Sequence, residues 1–145
     1  MAITEKVFRG VLKTHQALYE RTNGRIGENL FGTKALLLRT KGRKSGQMRT
    51  AALTFSKDGD RYLIVASKGG APEPPAWFLN LRADPHPEIQ VGRERSPATA
   101  TIIESGDPDY ERVWKLVNDG NSGRYEAYQR KTSRPIPVVA LTRAE

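Results

Sequence analysis

The chain has 145 residues, a formal net charge of +8, 37% hydrophobic residues and no cysteine. One domain with its own core is the simplest organisation at this length, and disulfides, thiolate metal sites and cysteine nucleophiles are excluded together. No apolar run approaches the ~20 residues of a membrane-spanning helix, and the N-terminal MAITEKVFRG lacks the cationic start and apolar stretch of an export signal, so a cytoplasmic protein is expected.

In chain order, Val7, Val11 and Leu18 recur at helical spacing, with Phe8 and Leu12 widening the stripe. This predicts an amphipathic helix over about residues 4–22 that ends at Asn23-Gly24. Residues 30–145 are then expected to form the rest of the single domain. Ala35 to Thr40 (ALLLRT) reads as a buried strand that runs into the loop KGRKSGQ, and Met48 to Ser56 as the next strand. Asp58-Gly59 supplies the positive φ of a tight hairpin turn, and RYLIVAS, residues 61–67, returns from it. Pro74-Pro75 opens a short helix over Ala76 to Ala83, closed by Asp84-Pro85-His86-Pro87. Glu88 to Val91 and Ala98 to Ile103 form a hairpin joined through residues 92–97. Asp107-Pro108 starts a helix to about Val117, a second helix covers Arg124 to Lys131, and PVVAL, residues 137–141, is the last strand. Hairpins outnumber crossovers, which argues for an α+β fold: a small antiparallel barrel with peripheral helices.

Charge is concentrated in one stretch. From Asn29 through Lys57 there is no Asp or Glu, while Lys34, Arg39, Lys41, Arg43, Lys44, Arg49 and Lys57 carry seven positive charges. That focus implies a particular anionic partner. GRKSG leads into a strand rather than a helix, so it is not a P-loop, and no GxGxxG follows a strand. Glycine N–H groups, the Ser45 hydroxyl and the Arg and Lys side chains have the chemistry of a phosphate cradle all the same. A solvated cationic hairpin is the competing reading. His15 and His86 have no metal-spaced partner, so no metal is expected. Glu104, Asp107 and Asp109 read as structural carboxylates at a helix start.

Three linked blocks, GRKSGQMR, VASKGG and AWFLNLRADP, followed by YEAYQRKTSRPIPVV, resemble the deazaflavin-dependent nitroreductase family. These are small split-β-barrel oxidoreductases, related in fold to FMN-binding barrels, that use the reduced form of coenzyme F420. The resemblance implies that Arg43, Lys44, Ser45 and Arg49 hold the coenzyme's phosphate and the start of its acidic tail. Thr50, Ala52 and Leu53 would line the ring's edge. Ala66, Ser67 and Lys68 would contact its polar edge or the tail, and Trp77 and Asn80 would close the pocket. Tyr125 and Tyr128 match tyrosines that lie near the substrate, and with Ser67 they are the implied catalytic groups.

Hydride would pass to an electron-poor acceptor: an activated alkene, a quinone or a nitro compound. Ser122 and Lys131 stand where some members carry aromatic residues, so nitroimidazole reduction is not implied. An F420 maker points to an actinobacterial source. The alternatives are a non-catalytic F420 carrier, an FMN or tetrapyrrole barrel, and a basic nucleic-acid-binding barrel. The last is disfavoured because aromatics are not interleaved with the basic run, so no nucleic acid is expected. Packing of the N-terminal helix on the barrel is preferred over membrane-surface association, and either a monomer or a homodimer is compatible with the sequence.

Overall fold

The structure, a computed structural model, describes residues 29–30 and 33–144. The predicted helix at 4–22 lies outside the described residues. The described residues form eight strands: β1 (Asn29–Leu30), β2 (Thr33–Lys41), β3 (Met48–Thr54), β4 (Ser56–Asp58), β5 (Arg61–Val65), β6 (Glu88–Val91), β7 (Glu94–Ile103) and β8 (Val138–Arg143). A 3-10 turn covers Lys68–Gly70, and the helices among the described residues are α1 (Ala76–Ala83), α2 (Tyr110–Asp119) and α3 (Arg124–Gln129).

All strand pairs are antiparallel. β3 pairs with β2, and at Phe55 the chain passes into β4, which pairs with β5. The remaining contacts run β5–β8–β7–β6–β2, so the ring of pairings returns to its start. This is the α+β barrel expected, with one correction. The predicted strand 48–56 is broken at Phe55, whose N–H still donates to the Lys34 carbonyl at 3.0 Å. β5 therefore lies beside β4 and β8 rather than beside the strand that leaves the basic loop.

Alternation sets the two faces. Leu36 and Leu38 of β2, Leu53 of β3, Phe55, Tyr62 and Ile64 of β5, Ile89, Ala98, Ala100, Val139 and Leu141 point into the barrel and form one cluster. Phe78 and Leu81 of α1 join it, so α1 packs against the barrel interior. The intervening residues Leu63, Val65, Ile103, Val138 and Ala140 face outward and are covered by Val113 and Val117 of α2 and by Tyr125 of α3.

Several boundaries differ from the sequence expectation: β2 spans Thr33–Lys41, β5 ends at Val65 and β8 spans Val138–Arg143, and three further shifts have a local reason. β7 begins at Glu94 and carries Pro97 opposite Glu88, because only Gly92 and Arg93 are needed to turn the hairpin and a proline is tolerated within a strand at suitable positions. α2 begins at Tyr110, after a turn in which the Tyr110 N–H donates to the Asp107 carbonyl at 3.0 Å. α3 ends at Gln129, two residues early. No helix among the described residues is long and apolar enough to cross a membrane.

Candidate active site

The basic loop is a tight connection between β2 and β3. Lys41 pairs with Met48; the Gly42 N–H donates to the Gln47 carbonyl and the Gly46 N–H to the Gly42 carbonyl, both at 2.8 Å. Gly46 has φ +74°, a left-handed position at which a side chain would be strained. The Ser45 hydroxyl accepts the Gln47 N–H at 3.2 Å, so Ser45 helps to shape the loop. Arg43, Lys44 and Arg49 project from it, and the Lys44 and Arg49 side chains are exposed. Among the described residues no carboxylate lies within ion-pair distance of Lys41, Arg43, Lys44 or Arg49. An anion bound here meets uncompensated positive charge.

Asn80 anchors this loop. Its carboxamide oxygen accepts both the Arg43 backbone N–H and the Arg43 Nη1, each at 3.2 Å, and its Nδ2 donates to the Thr40 hydroxyl at 3.1 Å. Both acceptor positions and one N–H are thus engaged with the protein. Asn80 is buried, as is Thr40, and the pair locks α1 to the end of β2. Trp77 is half-buried against the barrel cluster and meets Phe78 edge-on at 6.4 Å.

From the loop, β3 runs as a rail about 17 Å long from Arg49 to Thr54. Thr50, Ala52 and Thr54 share its outer face, and Ala52 is buried against Leu37 of β2. Leu53 points the other way, into the barrel. Only a backbone contact would therefore allow Leu53 to share the rail with Thr50 and Ala52. At the far end, the Thr54 hydroxyl and the Tyr125 hydroxyl are hydrogen bonded at 2.9 Å. Tyr125 is buried and its pKa is raised, chiefly by that burial, with the Thr54 hydrogen bond opposing the shift. Tyr128, half-buried, meets Tyr125 edge-on at 6.2 Å, with Lys131 Nζ 5.8 Å from its ring.

The turn after β5 lies under α3. Lys68 has φ +46° and Gly70 φ +84°, and a Cβ on Gly70 would lie 2.6 Å from the Tyr128 carbonyl oxygen. Glycine is required there on both counts. The sequence reading missed the residue that holds this turn. Arg134 donates to the carbonyls of Ala66 (3.2 Å), Ser67 (3.0 Å) and Ala71 (3.1 and 3.3 Å). Its placement depends on Gln129, whose Nε2 donates to the Thr132 and Arg134 carbonyls and whose Oε1 accepts the Ile136 N–H. The only sequence signal was an arginine directly before Pro-Ile-Pro.

Apart from Leu53 and Trp77, described above, the expected residues thus fall at four places. Arg43, Lys44, Ser45, Arg49 and Asn80 are at the basic end of the rail, and Thr50 and Ala52 lie along it. Tyr125 is joined to Thr54 at the other end, beside Tyr128, while Ala66, Ser67 and Lys68 form the turn beneath α3. The order along β3 is thus cationic at the loop, small and neutral along the strand, and aromatic beside Thr54. Among the described residues no cluster of three or more metal-ligating side chains occurs.

A family model described as F420H(2)-dependent quinone reductase matches residues 11–143. An F420H(2)-dependent quinone reductase of Mycobacterium tuberculosis is 54% identical over 134 residues, which cover 92% of this chain and 90% of the relative. A second protein of that organism, described as a putative F420H(2)-dependent quinone reductase, is 35% identical over 73% of this chain and 87% of its own length. Among solved structures, an F420-H2 dependent reductase is similar at TM-score 0.65 and 37% identity, covering 74% of this chain and 92% of that one. Another, described as a domain-swapped dimer, has TM-score 0.68 and 34% identity over 89% and 93% of the two chains. A haem storage protein of Vibrio cholerae, at 12% identity and TM-score 0.58 over 92% and 91% of the two chains, shares the fold alone. By sequence and by barrel, this chain belongs to the F420H(2)-dependent quinone reductase family.

Proposed function

We propose that the protein reduces quinones to quinols with F420H2 as the hydride donor, and that the coenzyme lies along β3 with its acidic tail on the basic loop. The observation that carries this placement is the uncompensated charge of Lys41, Arg43, Lys44 and Arg49 at one end of a rail that ends in two tyrosines. Its family supplies the donor and the acceptor class. When bound, reduced deazaflavin supplies a hydride, and the quinone takes that hydride with one proton to become the quinol.

Arg43, Lys44 and Arg49 hold phosphate and carboxylate oxygens by charge-assisted hydrogen bonds. The backbone of the Ser67-Lys68 turn meets the head's polar edge, and Trp77 flanks the pocket. Tyr128, with its half-exposed ring, is assigned to the quinone oxygen, with Ser67 as a second donor. Tyr125 is assigned a positioning role, since its hydroxyl is already engaged with Thr54. A homodimer is the proposed assembly, supported by the domain-swapped dimer of the 34%-identical relative.

Fluorescence titration of the purified protein with oxidised F420, and in parallel with FMN, tests the placement, with Lys44→Ala beside the wild type. The expected result is preferential binding of F420, weakened in the variant and weakened by salt. Equal or tighter binding of FMN, or an affinity indifferent to Lys44, overturns it.

A further inference from the structure

The Arg134 guanidinium makes four hydrogen bonds to three carbonyls of a single six-residue turn, an unusual amount of one side chain's capacity spent on one stretch of backbone. In a trans peptide the C=O and the following N–H point in opposite directions. With the Ala66 and Ser67 carbonyls aimed at Arg134, the N–H groups of Ser67 and Lys68 must point away from it. Among the described residues neither donates to a backbone carbonyl. Ser67 is right-handed (φ −83°, ψ −38°) and Lys68 left-handed (φ +46°). That succession makes neighbouring N–H groups converge into a concave nest that favours anions and electron-rich oxygens.

We infer that Arg134 is a positioning residue for cofactor binding: it holds the Ala66–Ala71 turn so that the Ser67 and Lys68 N–H groups form a nest for an electron-rich oxygen at the polar edge of the deazaflavin ring. The inference rests on the proposed function for the identity of the ligand, while the clamp itself is independent of it. Three features act on this turn together. Arg134 pulls its carbonyls to one side, Gly70 lets the Tyr128 carbonyl close over it, and Gln129 fixes the segment that delivers Arg134. The turn and α3 are therefore one unit, and the guanidinium also adds a positive charge behind the nest. Lysine in its place would keep the charge but would present one ammonium where a planar fork now spans three carbonyls.

The test compares wild type, Arg134→Lys and Arg134→Ala in two assays. The first is tryptic cleavage of the native ligand-free protein after Lys68, read by mass spectrometry of that one bond. The second is titration with oxidised F420, with guanidinium chloride at low, non-denaturing concentration added to Arg134→Ala as a rescue. Both variants are expected to be cut after Lys68 at least tenfold faster than wild type and to bind F420 at least tenfold more weakly. Guanidinium should recover part of the affinity of Arg134→Ala, and methylammonium should not. A merely structural arginine would lower the melting temperature and leave the affinity of the folded variants unchanged. That result overturns the inference, as does lost affinity with the turn uncut. If Arg134→Ala does not fold, Arg134→Lys decides by the same two readouts. If wild type itself fails to bind F420, the functional reading falls, and with it the nest's assigned ligand, while the cleavage assay still reports on the clamp.

Discussion

Replacing Asn80 separates two contributions to the proposed cofactor binding, the order of the basic loop and its charge. Asn80→Ala deletes the acceptor of two Arg43 N–H groups and the donor to the buried Thr40 hydroxyl, three contacts at 3.1 to 3.2 Å. At about 1 kcal/mol net for each hydrogen bond, the folded state should lose about 2 to 3 kcal/mol, and the loop loses its tie to α1. Asn80→Asp keeps the acceptor for Arg43 and should cost much less stability. It sets a negative charge against the Arg43 guanidinium, however. For a ligand anion roughly 6 Å away, cancelling one cation removes about 0.7 to 2.8 kcal/mol of attraction between effective dielectrics of 80 and 20, or about three- to hundredfold in affinity. Urea unfolding gives the first quantity and F420 titration at two salt concentrations the second. An Asn80→Ala variant as stable as wild type would refute the anchoring role. An Asn80→Asp variant that binds F420 as tightly as wild type, with the same salt dependence, would refute placement of the acidic tail on this loop.

Tyr125→Phe should destabilise by about 1 kcal/mol, since the Thr54 hydroxyl loses its partner at 2.9 Å, and should lower kcat less than Tyr128→Phe does. A larger kcat loss for Tyr125→Phe, measured with saturating F420H2 and quinone, would reverse the two assignments. Asp58 accepts Arg112 through both oxygens (2.8 and 2.9 Å) and Arg61 at 2.6 Å, which ties the β4–β5 hairpin to α2. Hydrogen bonds from Arg112 first, and then from Arg61, hold its carboxyl well below the ordinary value of 3.8. A carboxylate with a depressed folded-state pKa stabilises above its unfolded value and ceases to do so as pH falls toward the folded one. The stability gap between wild type and Asp58→Asn should therefore be constant from pH 7 to about pH 5 and shrink below about pH 4. A gap that closes already at pH 6 would count against the pairing.

The sequence reading located the elements that local chemistry determines. α1 starts after Pro75 and ends at Ala83 as expected, and Gly59 turns the β4–β5 hairpin with φ +58°. The basic stretch around the loop was visible because seven cations without one carboxylate from Asn29 through Lys57 form a pattern that needs no tertiary information. What depends on distant partners was not visible. Nothing local in LTFSK, residues 53–57, marks Phe55 as the point where the strand leaves β2 for β5; that break is set by barrel closure. Arg134 meets the Ala66–Ala71 turn across more than sixty residues of chain, and its side chain alone looks like one more surface cation. Asn80 was expected near the cofactor; its carboxamide oxygen and one N–H are engaged with Arg43 and Thr40, a supporting role for the loop that the sequence alone does not display. Leu53 was grouped with Ala52, although adjacent strand residues face opposite sides.

The most direct test of the account is anaerobic mixing of the protein with F420H2 and a naphthoquinone, following the return of the oxidised deazaflavin's visible absorption together with quinol formation. Protein-dependent, one-to-one conversion is expected, saturating in both reactants and falling with Lys44→Ala through KM for F420H2. Protein that binds F420 but gives no rate above the protein-free control would contradict it.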